Sequence, residues 1–523
     1  MTELQQNKKE LPFFPFLRHY FGELSISAIF LLVGYGSKMF SNTFSIDTQS
    51  MIQMSSHQYE AWLGLQRYGL IAIKRILGTY WYNNSVASVL TPICFFISAT
   101  IWAYLLYVSA KETQNFHPIY FLIPFLTAPI FAEQFGFLLQ SAEIAISLGL
   151  SALSIIIILQ ALTKPHAKHI KVLLLSFSTF LLFSTLSMYL ALITVFVTGV
   201  AIVSLQQVSS KNKTERFDFT FIATSATICV IGYVIFSAVN RCIQYMQHID
   251  TNSYIDDQSL WKTGHFSLII HQIISHSKEI YLGKGIFYPA YLTAFAVCFI
   301  CILTIETFKH KMSVWSVPLG ICICISPMLM TVILGNSPSP RTELSLPLAL
   351  AFLIFFVMER FTSIHIPTIN RQKITTWLAV AVVILIGLQQ SFTTNRIFYT
   401  ESIVYQNDVQ LAYQIKEKIE KLNLGETPSQ PVVFVGGHKA AANADTYNAN
   451  QLGLTGRSIM EITFSTQHGT WIKNQFLAAQ GIQYHYPTSE QQFSEAEKVA
   501  KTMPHWPYKG CVQKHNDIII VNF

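Results

Sequence analysis

Charge is scarce in this sequence. Only 12% of its 523 residues are Asp, Glu, Lys or Arg, against ~25% in soluble domains. With 51% of the residues hydrophobic, that deficit excludes an ordinary soluble globule. Metal-type spacing is lacking too. The eight cysteines (94, 229, 242, 298, 301, 322, 324 and 511) are scattered, and none pairs with histidines at a zinc-ligand interval. Cys298/Cys301 and Cys322/Cys324 lie inside apolar runs and read as core thiols. Cys242 and Cys511 both fall in segments read as outward-facing, and whether they pair stays open. A cleavable leader is missing: "MTELQQNKKELPFFPFLRHY" is polar and basic, and no small-residue cleavage site follows the first apolar run. That run reads as a retained span. A complete phosphate loop is missing as well, since "VGGHKAA" lacks the full glycine spacing.

Long apolar runs are what the chain does have. Candidate spans lie near 21–40, 86–109, 116–133, 137–161, 170–188, 190–207, 219–239, 289–307, 313–335, 344–358 and 375–392. A run of ~20 apolar residues crosses the hydrocarbon core as a helix, which satisfies its own backbone groups. The expectation is a polytopic α-helical membrane protein of about 11 transmembrane helices, followed by a small C-terminal α/β extracytoplasmic domain. Residues 1–392 form the membrane part and 393–523 the appended domain.

Lys8, Lys9, Arg18, Lys111, Lys164, Lys168, Lys171, Lys211, Lys213, Arg216, Lys309, Lys311, Arg360, Arg371 and Lys373 all fall on one side of that arrangement. By the positive-inside bias this side is cytoplasmic, and so is the amino terminus. The segments 41–85, 241–288 and 393–523 then face outward, periplasmic in a bacterial inner membrane. Within the first, "HQYEAWLGLQRYGLIAIKRILGTYWY" carries apolar residues at helical spacing and reads as one amphipathic helix, either in the membrane interface or packed on the bundle. Within 393–523, "NDVQLAYQIKEKIEKLNLG" reads as an amphipathic helix capped at Gly425, and "PVVFVGG" and "DIIIVNF" read as strands. This region holds eleven cationic and eleven anionic residues, so the chain's net +7 resides in the membrane part. A positive-inside bias accounts for that charge and argues against a nucleic-acid partner.

Three carboxylates stand near the outer ends of spans. Asp47 opens the first outward loop in "FSIDTQSM". Glu133 sits at a turn in "TAPIFAEQFGF", and Glu143 follows ten residues on in "LLQSAEIAISLG", a helical rise of about 15 Å that puts it inside the fourth span. A carboxylate at or in the membrane is costly and marks a functional candidate, the structural reading being an internal pair with a neighbour. The outward cations include Arg67, Lys74, Arg75 and Arg341. Arg341, in the short turn "GNSPSPRTELSL", is suited to grip a lipid phosphate through paired charge-assisted hydrogen bonds, or simply to reach the headgroups. Together these residues suit transfer from a lipid-linked sugar phosphate: a carboxylate deprotonates an acceptor hydroxyl while cations stabilise the departing phosphate.

On these stretches the chain resembles the type-II O-antigen glucosyltransferases, Gtr-type membrane enzymes of glycosyltransferase superfamily C. "FSIDTQ" is similar to the family's acidic motif after its first span. "WLGLQRYG" resembles its tryptophan-led element, with Trp62, Arg67 and Tyr68 at the matching positions. "APIFAEQFGFLLQSAEIAISLGL", "SPRTELSLP" and the ending "MPHWPYKGCVQKHNDIIIVNF" resemble further family segments. Two positions depart: Gln66 stands where glycine is common, and Thr48 where a second acidic residue often follows, leaving Asp47 the motif's sole carboxylate. The resemblance implies undecaprenyl-phosphate glucose as donor and an O-antigen repeat unit as acceptor, with inversion at the anomeric carbon and Asp47 as base. It implies Glu133 and Glu143 as further catalytic candidates. Arg341, Arg67, Lys74 and Arg75 become donor-phosphate ligands, and Trp62 and Tyr68 substrate contacts. No nucleotide or organic cofactor is needed; a divalent metal is left open, because members of the superfamily differ on it. An O-antigen polymerase or ligase, a lipid-linked sugar flippase and a membrane scaffold remain alternative readings.

Overall fold

The computed structural model describes residues 11–110, 116–209, 219–249, 258–262, 264–363, 369–425, 428–441 and 443–523. Lys8, Lys9, Lys111, Lys211, Lys213 and Arg216 lie outside the described residues, as do the side chains of Arg371 and Lys373 and part of the 241–288 segment.

The chain is a multi-pass membrane protein. Among the described residues, ten helices are long and apolar enough to cross a bilayer, from Phe21–Phe40 to the helix beginning at Ile374 in that count. An eleventh passage is broken: Ile119–Leu126 and Ile130–Gly136 bend by 52° across Thr127, Ala128 and Pro129. The expected straight span over 116–133 is therefore corrected to a kinked pair. Pro129 cannot supply the amide that would continue the first helix's ladder, so the axis turns there. The pair still runs from one end of the bundle to the other. Phe116 packs with Phe16, Tyr20 and Tyr107 at one end, and Glu133 meets Thr455 of the C-terminal region at the other.

Small residues let the central helices approach closely, the usual device where lipid supplies no drive for helix association. Asn84–Ser109 and Ser141–Thr163 meet where the Ser98 hydroxyl donates to the Ala145 carbonyl at 2.6 Å and Trp102 Nε1 to the Leu148 carbonyl at 3.0 Å. Ser154 and Ser178 exchange hydrogen bonds with each other's carbonyls at 3.1 and 3.0 Å, joining Ser141–Thr163 to Lys168–Met188. Beneath the kink, Phe95 packs against Phe131 and Phe135, with ring centroids 4.5 and 4.9 Å away. Ser141–Thr163 and Ser345–Thr362 are the bundle's most buried spans, whereas Thr220–Gln247 and Tyr291–Phe308 turn most of their surface outward.

The last span does not end at 392. Helix Ile369–Glu420 runs 52 residues without a break, roughly 78 Å at 1.5 Å per residue, so its second half projects well beyond a bilayer. The separate amphipathic helix expected before Gly425 is the end of this one. Its apolar positions Leu411, Ala412, Ile415 and Ile419 form one wall of the C-terminal core. The other wall is a three-stranded sheet, order β1-β3-β2, of β1 (Val432–Val435), β2 (Val512–His515) and β3 (Ile518–Asn522). β1 pairs parallel and β2 antiparallel with β3. Both expected strands are present, and β2 is an addition. Helix Thr466–Ala479 packs on the sheet face bearing Val432, Phe434, Ile519 and Val521, and Glu490–Ala500 on the opposite face, against Val433, Ile518 and Ile520. Cys511 is buried here, and both it and Cys242 are free thiols.

The amphipathic stretch after the first span is two helices rather than one, Ser55–Gly64 and Tyr68–Leu77. The break falls at Gln66, whose φ of +63° lies in the left-handed region that a continuing helix does not use.

Candidate active site

Asp47 sits where the loop after the first span turns into the short helix Thr48–Gln53, with φ +76°. An aspartate tolerates this left-handed backbone better than most residues. The loop leading to it is pinned from three sides. Lys38 Nζ reaches both Glu401 carboxylate oxygens at 2.7 Å and the Thr43 hydroxyl at 3.2 Å. The Asn84 amide donates to the Thr43 carbonyl at 3.2 Å. Phe44 then plugs into the C-terminal core, 5.1 Å from Tyr405 and 5.9 Å from Phe476. The loop after the first span and the C-terminal region thus lie at the same end of the bundle.

The residues flanking Asp47, Ser45 and Thr48 to Met51, are buried, while Asp47 itself reaches solvent. The protein packed nearby still raises its carboxyl above the usual aspartate range by desolvation, opposed by the charges of Arg341, Arg67 and His468 in that order. Charges from three distant parts of the sequence, at Arg341, Arg67 and His468, thus act on this one solvent-reaching carboxyl.

Both arginines are oriented by aromatic faces. The Arg341 guanidinium lies 4.6 Å from the Phe137 ring centroid and that of Arg67 5.1 Å from Tyr189. Arg67 Nη1 also donates to Gln140 Oε1 at 2.8 Å. Arg341 rides on the turn Pro340–Thr342, which a network that sequence inspection missed holds in place. Glu343, fully buried, receives His276 Nε2 at 2.8 Å and the Tyr288 hydroxyl at 2.6 Å. His276 Nδ1 in turn meets the Ser337 hydroxyl at 3.0 Å and Glu279 at 3.2 Å. Burial lowers the His276 pKa, but the two carboxylates outweigh it and hold the group above the usual histidine value. The only sequence signal was Glu343 two places after Arg341; His276 is 67 residues away.

The other candidates lie in different settings. Glu133, fully buried, accepts the backbone N–H groups of Leu454 and Thr455 at 3.0 Å each. Gly453 lets that loop approach, since a Cβ there would stand 2.5 Å from the Glu133 carboxyl carbon. Glu143 is in the first turn of Ser141–Thr163, at a helix end rather than deep within a span. Its Oε1 meets Lys74 Nζ at 2.9 Å and the Thr79 hydroxyl at 3.2 Å. Lys74 also lies 5.5 Å from the Trp62 ring. Lys74 and Glu143 therefore offset each other's charge, and the buried Trp62 is engaged by Lys74. Tyr68 stacks on Phe236 at 5.9 Å and joins its helix to Thr220–Gln247. Arg75 is exposed on the outer side of Tyr68–Leu77. Of the nine sequence candidates, Arg341 and Arg67 act electrostatically on Asp47, and the remaining six lie in the other settings described. His468, 421 positions from Asp47, is an addition that spacing alone does not reveal. Among the described residues no group of three or more His, Cys, Asp or Glu side chains is arranged to hold a metal ion.

No curated protein and no solved structure matches the chain. The family model described as glucosyl transferase GtrII matches residues 36–358, a stretch that begins just before Lys38 and includes Asp47, Arg67 and Arg341. The chain belongs to the GtrII glucosyltransferase family.

Proposed function

We propose that this glucosyltransferase moves glucose from a polyprenyl-phosphate donor to a surface glycan such as O-antigen, on the periplasmic face of a bacterial inner membrane. The observation that carries the reading is the solvent-reaching carboxylate of Asp47, on which the charges of Arg341 and Arg67 act. Asp47 takes the proton from an acceptor hydroxyl as its oxygen attacks the anomeric carbon. The bond from that carbon to the phosphate oxygen breaks, and polyprenyl phosphate leaves with the electron pair. Arg341 and Arg67 offset the charge it gains, as preorganised cations do where charge develops. Attack opposite the leaving group inverts the anomeric carbon.

In this reading Glu133 joins the membrane part, 1–392, to the extracytoplasmic region, 393–523. The Lys74–Glu143 pair and the packing of Trp62 and Tyr68 support the segment bearing Arg67, and Arg75 assists at the lipid boundary. The sidedness is supported by Arg18, Lys164, Lys168, Lys171, Lys309, Lys311 and Arg360, which belong to connections at the end of the bundle away from Asp47.

The test is reconstitution in vesicles with radiolabelled polyprenyl-phosphate glucose and a lipopolysaccharide acceptor. Label passing to the acceptor, and not doing so in Asp47→Asn, supports the reading. Label that crosses the bilayer without transfer identifies a flippase instead.

A further inference from the structure

We propose that an aromatic platform beside Asp47, built on helix Thr466–Ala479, binds the acceptor glycan by stacking on its sugar rings. The proposal rests on the transferase reading above, for which it supplies the acceptor side.

His468 and Trp471 are three residues apart and share a face of that helix. The Trp471 ring stands 5.0 Å from Tyr486 and 5.6 Å from His57, both at tilted angles. Phe464 meets the His468 ring edge-on at 5.4 Å. Five rings thus form two adjoining groups around the start of one helix. Phe464 is 72% exposed, and His57 and His468 also reach solvent. Phe464 is no part of the packed C-terminal core and adds its exposed ring to that of His468.

Its position ties it to the reaction. Helix Thr466–Ala479 packs on the short helix Thr48–Gln53, which begins directly after Asp47, and the charge of His468 acts on the Asp47 carboxyl. His57 comes from the helix Ser55–Gly64, so the platform spans the junction between the membrane part and the C-terminal region. An acceptor lying on it would deliver a hydroxyl toward the base.

The chemistry favours a sugar chain over a lipid. Aromatic faces carry partial negative charge, which suits the C–H faces of a pyranose ring. Three of the five rings carry hydrogen-bonding nitrogen or hydroxyl groups at their edges, in addition to the Trp471 indole N–H, and those suit sugar hydroxyls. The turn on which His468 sits, Ser465-Thr466-Gln467, is polar and lacks an aliphatic side chain for lipid.

The probe is delipidated O-polysaccharide of the host bacterium, titrated against the full-length protein in nanodiscs. Wild type is expected to bind it. Trp471→Ala should bind roughly tenfold more weakly, the scale of a lost aromatic pair, and Trp471→Phe should recover most of that loss. Phe464→Ala, at an exposed position where misfolding is not a concern, should also weaken binding. In the transfer assay the same variants should raise the acceptor KM and leave the donor KM unchanged. Wild-type affinity in both Trp471→Ala and Phe464→Ala overturns the proposal, and so does a wild type that ignores the polysaccharide. The two readings fail separately. Polysaccharide binding lost in the variants, but with no transfer by wild type, would retain the platform and defeat the transferase. Transfer by wild type with binding untouched in the variants would do the reverse.

Discussion

Glu133, on the kinked passage of the bundle, accepts the backbone amides of Leu454 and Thr455, one on each carboxylate oxygen, at 3.0 Å. The Thr455 hydroxyl also donates to the Glu133 backbone carbonyl at 3.2 Å. A carboxylate of the membrane part thereby clamps a loop of the C-terminal region, through contacts made 321 and 322 residues apart in sequence. Gly136, one turn on, admits Thr455 where a Cβ would stand 2.0 Å from its hydroxyl oxygen.

Breaking this clamp should loosen one part against the other. In Glu133→Gln only one oxygen can accept, and the amide NH₂ faces the second backbone donor. That leaves a buried N–H unpaired, at a cost of about 1–3 kcal/mol. Gly453→Ala should act in the same direction by collision. Hydrogen exchange over residues 449–458, measured on the detergent-solubilised protein, should rise in both variants. Unchanged protection would deny the clamp its role.

Lys74 and Glu143 are predicted to behave as a buried pair. Removing either alone, in Lys74→Met or Glu143→Gln, strands the other in a dry site and should cost about 3–5 kcal/mol, while the double variant should recover much of that loss. A thermal-denaturation cycle reads the coupling. Additive losses would point instead to separate roles, such as Lys74 acting on the donor phosphate.

The acid limb of activity should report Asp47. Its folded-state pKa lies above 3.8 because burial outweighs the nearby cations, and only the ionised form serves as base. Transfer should therefore fall as pH drops through a value higher than 3.8. Arg341→Gln removes the largest opposing charge and should move that limb further up. Stability follows the opposite sign: the native carboxyl holds its proton more tightly than the unfolded one, so this group's contribution declines as pH rises between the two pKa values. Profiles of kcat/KM against pH for wild type and Arg341→Gln test the shift. A limb that moves down in the variant would contradict it.

Lys473 gives the C-terminal region a distinct alkaline signature. Its ammonium donates to the Ile462 carbonyl at 2.6 Å, yet burial, offset in part by Asp408, brings its pKa from 10.5 down to about 8. Between those values the unfolded chain binds the proton and the native one does not, so stability should increase with pH across that window, by up to ~3 kcal/mol. Lys473→Met should flatten the trend in melting temperature.

Much of this architecture was legible because apolar length and period act locally. Every long span, β1 and β3 announced themselves, and Asp47 stood out as a carboxylate just past the first span. The kink at Pro129 was hidden inside a run whose composition satisfies a straight span equally well. The stretch after Phe392 mixes polar and apolar residues as a linker does, but its helical spacing survives because one face packs as Leu411, Ala412, Ile415 and Ile419 in the C-terminal core. β2, "VQKH", is too short and polar to register without β3 beside it. At the site, Asp47, Arg67 and Arg341 could be named singly, while their meeting with His468, and the pairing of Lys74 with Glu143 across 69 residues, depend on tertiary contacts that no local pattern encodes.

The most direct measurement is single-turnover transfer by Asp47→Asn with the donor saturating. Its rate is expected to be lower by about a thousandfold, the range of a lost general base, with donor binding retained. Transfer within a few fold of wild type would contradict Asp47 as the base.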